Sequence, residues 1–354
     1  MAATVAVALL TRGHGNARRL PPRPKSARGA ACERGRSKDP WWVHDGAMGD
    51  KPQSRGDAER LLSTEAVIRR ALGRDVGRLL SFDPIAREGR DPEGVHQLRV
   101  AARRLRAELK ICSMVLKTKP AKGLRHELHW LGTTLGAERD LDVLSVSVAI
   151  ATTAPGADDL RVAIAERLDL DRAKSHHAVI VALGSDRYRA LIRRLCAAVT
   201  DPPLRRQASA PAAAVLDPAL ARSALRLDTL VSNLGDRPAD EQLHRLRLAT
   251  KQLRYGAELA TAYAGEPAAN TAADLAVLQT ELGELHDAGR VLGVLAEVRR
   301  SRPRWQVDGP EALALQGAID AEERAKARSR AAWATLYGEA RRSLIELGWL
   351  GDPG

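Results

Sequence analysis

Aromatic residues are scarce in this chain of 354 residues, at 3% with a single phenylalanine, and two of the six tryptophans (Trp41 and Trp42) fall near the start. A platform that stacks single-stranded nucleic acid needs several exposed aromatic faces, so the composition argues against one. Cysteine is equally sparse. Cys32, Cys112 and Cys196 are odd in number, far apart and outside CxxC spacing. They imply neither a disulfide framework nor a zinc site, and they fit a reducing cytoplasm. No apolar run reaches the ~18 residues that cross a bilayer. The stretch Val5–Leu10 has no basic residue before it, against a secretory signal. There is no GxxxxGK[ST] loop, no GxGxxG after a strand, no GxSxG elbow and no E-x-E-x-K near the start.

Positive charge, by contrast, is abundant. The net charge is +12, so an anionic partner is expected. Its placement matters more than its total. Residues 1–47 hold nine Lys/Arg against Glu33, Asp39 and Asp45, which is half of the excess. Gly, Pro, Arg and Ser dominate residues 11–47 without an apolar period, so residues 1–50 are expected to be a disordered basic tail. Met48 opens a more ordinary sequence and marks an alternative start. A basic arm that binds the same anion as the rest is the rival reading.

From Asp57 to Leu347 apolar residues recur at three and four, with Ala, Leu, Arg and Glu abundant, which predicts an all-α fold. Helices are expected over roughly 57–81, 92–117, 121–151, 156–183, 186–200, 213–234, 238–264, 268–299 and 310–347. Asp83-Pro84 is expected to end the first. Asp91 and Pro92 supply an N-cap and a first-turn proline to the second. Pro202, Pro203, Pro211 and Pro218 mark the main internal boundary, a linker at 201–212.

That boundary separates two copies of one pattern. VHQLRVAARRLR (95–106) and LHRLRLATKQLR (243–254) share six of twelve positions at an offset of 148. LGTTLGAERD (131–140) and LQTELGELHD (278–287) share Leu131/Leu278, Thr133/Thr280, Leu135/Leu282, Gly136/Gly283 and Asp140/Asp287. Two motifs in one order at nearly one spacing imply an internal repeat. Repeat one is 57–200 and repeat two is 213–348. The expected architecture is two helical bundles related by pseudo-two-fold symmetry, with a central basic groove.

On a helical wheel His96, Arg99, Arg103, Arg106 and Lys110 fall within about 80°, beside an apolar arc of Val95, Leu98, Ala102, Leu105, Leu109 and Cys112. The second copy sets His244, Arg247, Lys251 and Arg254 beside Leu243, Leu246, Thr250, Leu253 and Ala257, but Glu258 replaces Lys110. A solvated face would intersperse acids at i±4. A stripe of one sign, occurring twice, suits a long polyanion, and the planar fork of Arg binds phosphate oxygens in pairs. The bland alternative is an exposed arginine face on an Ala/Arg-rich protein. Asp140 and Asp287, each beside a glycine, are candidates to orient a His or Arg of their own half.

VHQLRVAARRLRAELK and LHRLRLATKQLRYGAEL resemble the two histidine-containing signatures of the CHAD family, and LGAERDLDVL (135–144) resembles its following segment. GRDPEGVHQLRV and SDRYRALIRRL fit its pattern too. The likeness covers about 57–348. It implies an all-helical module that binds inorganic polyphosphate through basic residues, here His96, Arg99, Arg103, Arg106, Lys110, His244, Arg247, Lys251 and Arg254, with Arg104, Asp140 and Asp287 in support. It further implies a cytoplasmic protein at polyphosphate granules, with a polyphosphate-metabolising enzyme as a candidate partner. Two departures stand out: Gln252 aligns with Arg104, and His286 stands where Asn is expected.

No catalytic residue, metal or cofactor is expected. His286-Asp287 spells the HD dyad of metal phosphohydrolases, but the first repeat has Arg139-Asp140 at that place. Asp140 and Asp142 point about 160° apart on a helix and cannot chelate one ion together. His126 with His129, and His176 with His177, are expected to be surface pairs. The rival functions are nucleic-acid binding, an HD-type phosphohydrolase, and a scaffold that docks a partner through acidic helices.

Overall fold

The computed structural model describes residues 62–89, 91–152, 158–235, 237–302 and 309–351. The tail 1–50 and Met48 lie outside them. The described residues form eight α-helices and no strand. They are α1 (Thr64–Glu88), α2 (Pro92–Ile111), α3 (Thr118–Ala151), α4 (Asp158–Gly184), α5 (Asp186–Thr200), α6 (Ala212–Ser232), α7 (Asp240–Ser301) and α8 (Pro310–Glu346). Among the described residues no helix is long and apolar enough to cross a membrane.

Capping chemistry explains the starts of α1 and α2. Ser63 accepts from the Ala66 amide at 3.2 Å to open α1, and Asp91 accepts from the Glu93 amide at 2.8 Å to open α2. The expected stop at Asp83-Pro84 is wrong, because α1 runs on to Glu88 with Pro84 inside it. Proline deprives one turn of its hydrogen bond, but Arg87 restores local ties. Its Nε donates to Asp83 at 2.8 Å, its Nη2 to the Leu183 carbonyl at 2.6 Å, and it lies over the Tyr188 ring. The helix ends instead at Gly89, whose φ of 64° suits glycine. Helix α2 stops at Ile111, short of the expected 117, in a 3₁₀ turn at Cys112–Met114. The break expected between 264 and 268 is a kink within α7 at Gly265, where φ is 63° and ψ −138°.

The apolar arcs read from the sequence become the core. Val95, Leu98, Ala102, Leu105 and Leu109 on α2, and Leu243, Leu246, Leu253 and Ala257 on α7, are each 1% exposed or less. Burying each leucine contributes about 1.5–3 kcal/mol. They belong to one continuous cluster that draws residues from all eight helices. A second, smaller cluster joins the far ends of α3 and α4 to those of α7 and α8, through Leu144, Leu160, Ile164, Val291, Leu295 and Leu315. The proline-rich segment after α5 is not a loose tether. Leu116 pairs with Leu204 and Ser63 with Pro211 in isolated β-bridges, and Arg205 donates its amide to the Val115 carbonyl at 2.8 Å.

Candidate functional site

The basic stripe of α2 lies against that of the first arm of α7. Burying the apolar arcs leaves the adjoining arcs to meet at the edge of the core. Arg103 Nε donates to the Tyr255 hydroxyl at 2.7 Å, and Lys110 Nζ donates to the Gln252 amide oxygen at 2.6 Å, so the two helices are tied side by side. A recess of about 250 Å³ between them is lined by Arg103, Arg106, Lys110, Lys251, Gln252 and Tyr255, with Ala107 and Leu248. A second, of about 320 Å³, opens on the other side of α2 against α3. Arg99, Arg103, Arg106, His129, Gly136 and Asp140 are among its lining residues.

The electrostatics are those of crowded like charge. Lys251 is pushed down to about 7 by burial first and then by Arg247, Arg103 and Arg99, with Asp287 offsetting only part. Burial also lowers Arg99 and Arg247, each made worse by basic neighbours and eased by Asp140 and Asp287 respectively. His96 falls below its ordinary value through burial and then Arg139, and His286 through burial and then Arg247 and His244. The His244 and His286 rings lie 4.9 Å apart, tilted by 39°. The Nδ1 atoms of His96 and His244 are buried without a protein hydrogen-bond partner. At the other end, Lys110 is lowered by burial, Arg125, Arg226 and Arg106.

The aspartates and glycines of the second motif sit behind the stripes. Asp140 accepts from Arg99 Nη1 at 3.2 Å and faces Arg290 Nη1 at 3.9 Å. A Cβ on Gly136 would come 2.7 Å from Arg99 Nη1, so glycine leaves room for that guanidinium. A Cβ on Gly283 would lie 3.6 Å from Arg247, an ordinary contact.

Two residues expected in or beside the stripes are elsewhere. Arg104 is 5% exposed and donates to Asp75 at 3.2 Å, with Glu258 at 2.7 Å. Arg254, 8% exposed, pairs with Glu258 and donates to Gln279 at 2.9 Å. Both are consumed by a buried acid–arginine cluster that also holds Glu108 and Arg74. Glu108 is raised by burial and by Asp75, so it holds its proton well above the usual carboxylate range. His126, His129 and His177 are exposed, as expected, and His129 also contacts Arg106 Nη1 at 2.9 Å. His176 is half-buried instead, tied to Glu138 at 2.9 Å. Tyr255, Arg139 and Arg290 were missed. The signal available for Tyr255 was its i+4 spacing from Lys251.

Among the described residues no group of three or more His, Cys, Asp or Glu is placed to hold a metal ion. What this arrangement offers is a set of partly buried cations from two helices, with hydrogen-bonding edges turned into two recesses. That chemistry suits a multiply charged anion.

Known proteins place these observations. The chain is similar in structure to PptA from Streptomyces chartreusis, with a TM-score of 0.62 at 22% identity, over 78% of this chain and 99% of that one. It is similar to the CHAD domain from the plant Ricinus communis, with a TM-score of 0.57 at 27% identity, over 83% and 95% of the two chains. In sequence it is 30% identical over 229 residues to two uncharacterized proteins of Mycobacterium tuberculosis, MT2285 of strain CDC 1551 / Oshkosh and Rv2226 of strain H37Rv. Those matches span 62% of this chain but only 43% of either relative. The family model of the CHAD domain matches residues 70–296, and the chain belongs to the CHAD-domain family.

Proposed function

We propose that the chain binds inorganic polyphosphate through the paired faces of α2 and α7, as a binding protein without turnover. The observation that carries this reading is the mutual crowding of Arg99, Arg103, Arg247 and Lys251. Four like charges drawn together from two helices repel one another and lose solvation, a cost that a bound polyanion repays. The row runs from His96 to Lys110, roughly 21 Å at the helical rise, longer than one phosphate needs. The repeated sequence motifs, the recess lined by residues of α2 and α7, and the resemblance to a family that binds polyphosphate support the same reading. Attachment to polyphosphate granules, and partnership with a polyphosphate-metabolising enzyme, follow as roles that such binding would serve.

The test is titration of the full chain with long-chain polyphosphate at physiological salt, beside the double variant Arg99→Glu/Arg247→Glu. Tight binding is expected in the wild type and none in the folded variant. The logarithm of affinity should fall linearly with the logarithm of salt, as counterions return to the freed polyanion. Binding that ignores the two charge reversals, or that duplex DNA or RNA competes away at equal phosphate, would overturn the proposal.

A further inference from the structure

We infer that Tyr255 is a positioning residue for the anion site, fixing Arg103 so that its guanidinium fork faces the ligand. The inference rests on the polyphosphate reading above and adds a residue on which the stripe pattern is silent.

Tyr255 is 3% exposed, yet it lines the recess between α2 and α7. Its hydroxyl takes the Nε hydrogen of Arg103 at 2.7 Å. Among the described residues, Arg103 makes no other hydrogen bond or ion pair. Both Nη groups are therefore left for an incoming phosphate, the edge that binds two oxygens at once. An arginine held this way has already given up much of its rotamer freedom, so less is lost when the ligand arrives.

The ring is itself held from behind. Arg254 Cζ lies 4.6 Å and Arg104 Cζ 5.6 Å from the Tyr255 centroid. Those two arginines are locked by Asp75, Glu258 and Gln279. The buried cluster thus meets Arg103 through Tyr255, whose hydroxyl takes the Nε hydrogen while Arg103 Cζ lies 5.9 Å from the ring centroid. The device has no reciprocal. At the repeat offset, the counterpart of Tyr255 is Ala107 and that of Arg103 is Lys251, so nothing equivalent aims Lys251 from α2. Simple core packing would need the ring but not the hydroxyl, which is why phenylalanine separates the two roles.

The experiment compares the full wild-type chain with Y255F, R103A and Y255F/R103A, each titrated with long-chain polyphosphate over a series of salt concentrations. Y255F is expected to lose roughly five- to tenfold in affinity. Its salt slope should match the wild type, because no cation is lost, whereas R103A should flatten that slope by about one unit. In the R103A background Y255F should cost nothing further. Arg103→Lys serves as a second variant if Y255F melts early. It keeps the charge, leaves Tyr255 intact and is expected to lose at least as much affinity as Y255F. Wild-type affinity in Y255F, or in R103K, overturns the inference, as does an undiminished Y255F loss in the R103A background. A wild-type chain that fails to bind polyphosphate removes the underlying reading and this one together. Wild-type binding with an indifferent Y255F removes this one alone.

Discussion

Arg106 and Arg254 align in the two matching sequence motifs and have opposite fates. Arg106 is exposed beside His129, whereas Arg254 is buried against Glu258 and Gln279. The difference lies in their neighbours. Where repeat two has Glu258 and Gln279, repeat one has Lys110 and Gly132. Arg106 finds no inward partner there and stays at the surface. Arg254 finds two and turns in. The second difference is at Arg103 and Lys251. The first is an arginine fixed by Tyr255, and the second an ammonium that burial and arginines drive down to about 7. Repetition of residue types therefore does not mean repetition of roles. At this one position the first basic helix presents an arginine aimed by Tyr255, and the second an ammonium whose charge depends on pH.

The sharpest way to break this contrast is charge reversal at the paired positions. Arg103→Glu is expected to weaken polyphosphate binding by roughly two orders of magnitude at pH 8. Lys251→Glu should cost clearly less there, because Lys251 is then largely neutral before binding. At pH 6 the two losses should converge. Equal losses at both values would erase the distinction.

Next in size is the pH profile of the wild type. A phosphate beside Lys251 favours the charged form, so binding takes up a proton once the free group has lost it. Affinity should therefore fall by about tenfold between pH 6 and pH 8, with His96 and His286 adding to the low-pH side. Lys251→Arg keeps its charge throughout and should flatten the curve. Calorimetry in buffers of different ionisation enthalpy would show the proton uptake directly.

A smaller effect separates the two glycines. Gly136→Ala should displace the Arg99 guanidinium from Asp140 and lower affinity several-fold, on the scale of one hydrogen bond, with little change in melting temperature. Gly283→Ala should do neither, because the extra methyl meets Arg247 at ordinary contact distance.

The smallest concerns the buried cluster. Glu108 is raised to about 8, chiefly by burial and then by Asp75. Between an unfolded value near 4.5 and that point the folded state binds the extra proton, so this group's contribution to stability declines as pH rises. Glu108→Gln mimics the protonated form. Its melting temperature should match the wild type near pH 5 and exceed it near pH 8.

The all-helical class and the caps at Asp91 and Pro92 were legible in the sequence, because period and end chemistry are local properties. So was the inward face of each basic helix, down to Thr250. The stop at Pro84 was misjudged because a tertiary contact, Arg87 on Leu183 and Tyr188, outweighs the local rule. At the site, the wheel ordered Arg99, Arg103, Arg247 and Lys251 by angle. It could not tell that Arg254 lies within reach of Gln279, 25 residues on, or Arg104 within reach of Asp75 on α1. The contact of exposed His129 with Arg106 was illegible for the same reason: the two are 23 residues apart on different helices.

The buried cluster has a consequence for how this chain is made. Asp75, Arg104 and Glu108 leave the ribosome roughly 150–180 residues before Glu258, which shares the cluster with them. At ordinary elongation rates that is a delay of roughly 10–30 s. Through that interval α1 and α2 can collapse on their leucines only by sealing in an arginine without its full complement of acid, or else they stay open until α7 arrives. Synthesis thus imposes a waiting period on the first half of the molecule. Its apolar faces are then exposed to chaperones and to other nascent chains, so a slowed ribosome between codons 112 and 258 is a hazard to this fold in a way that the finished structure conceals.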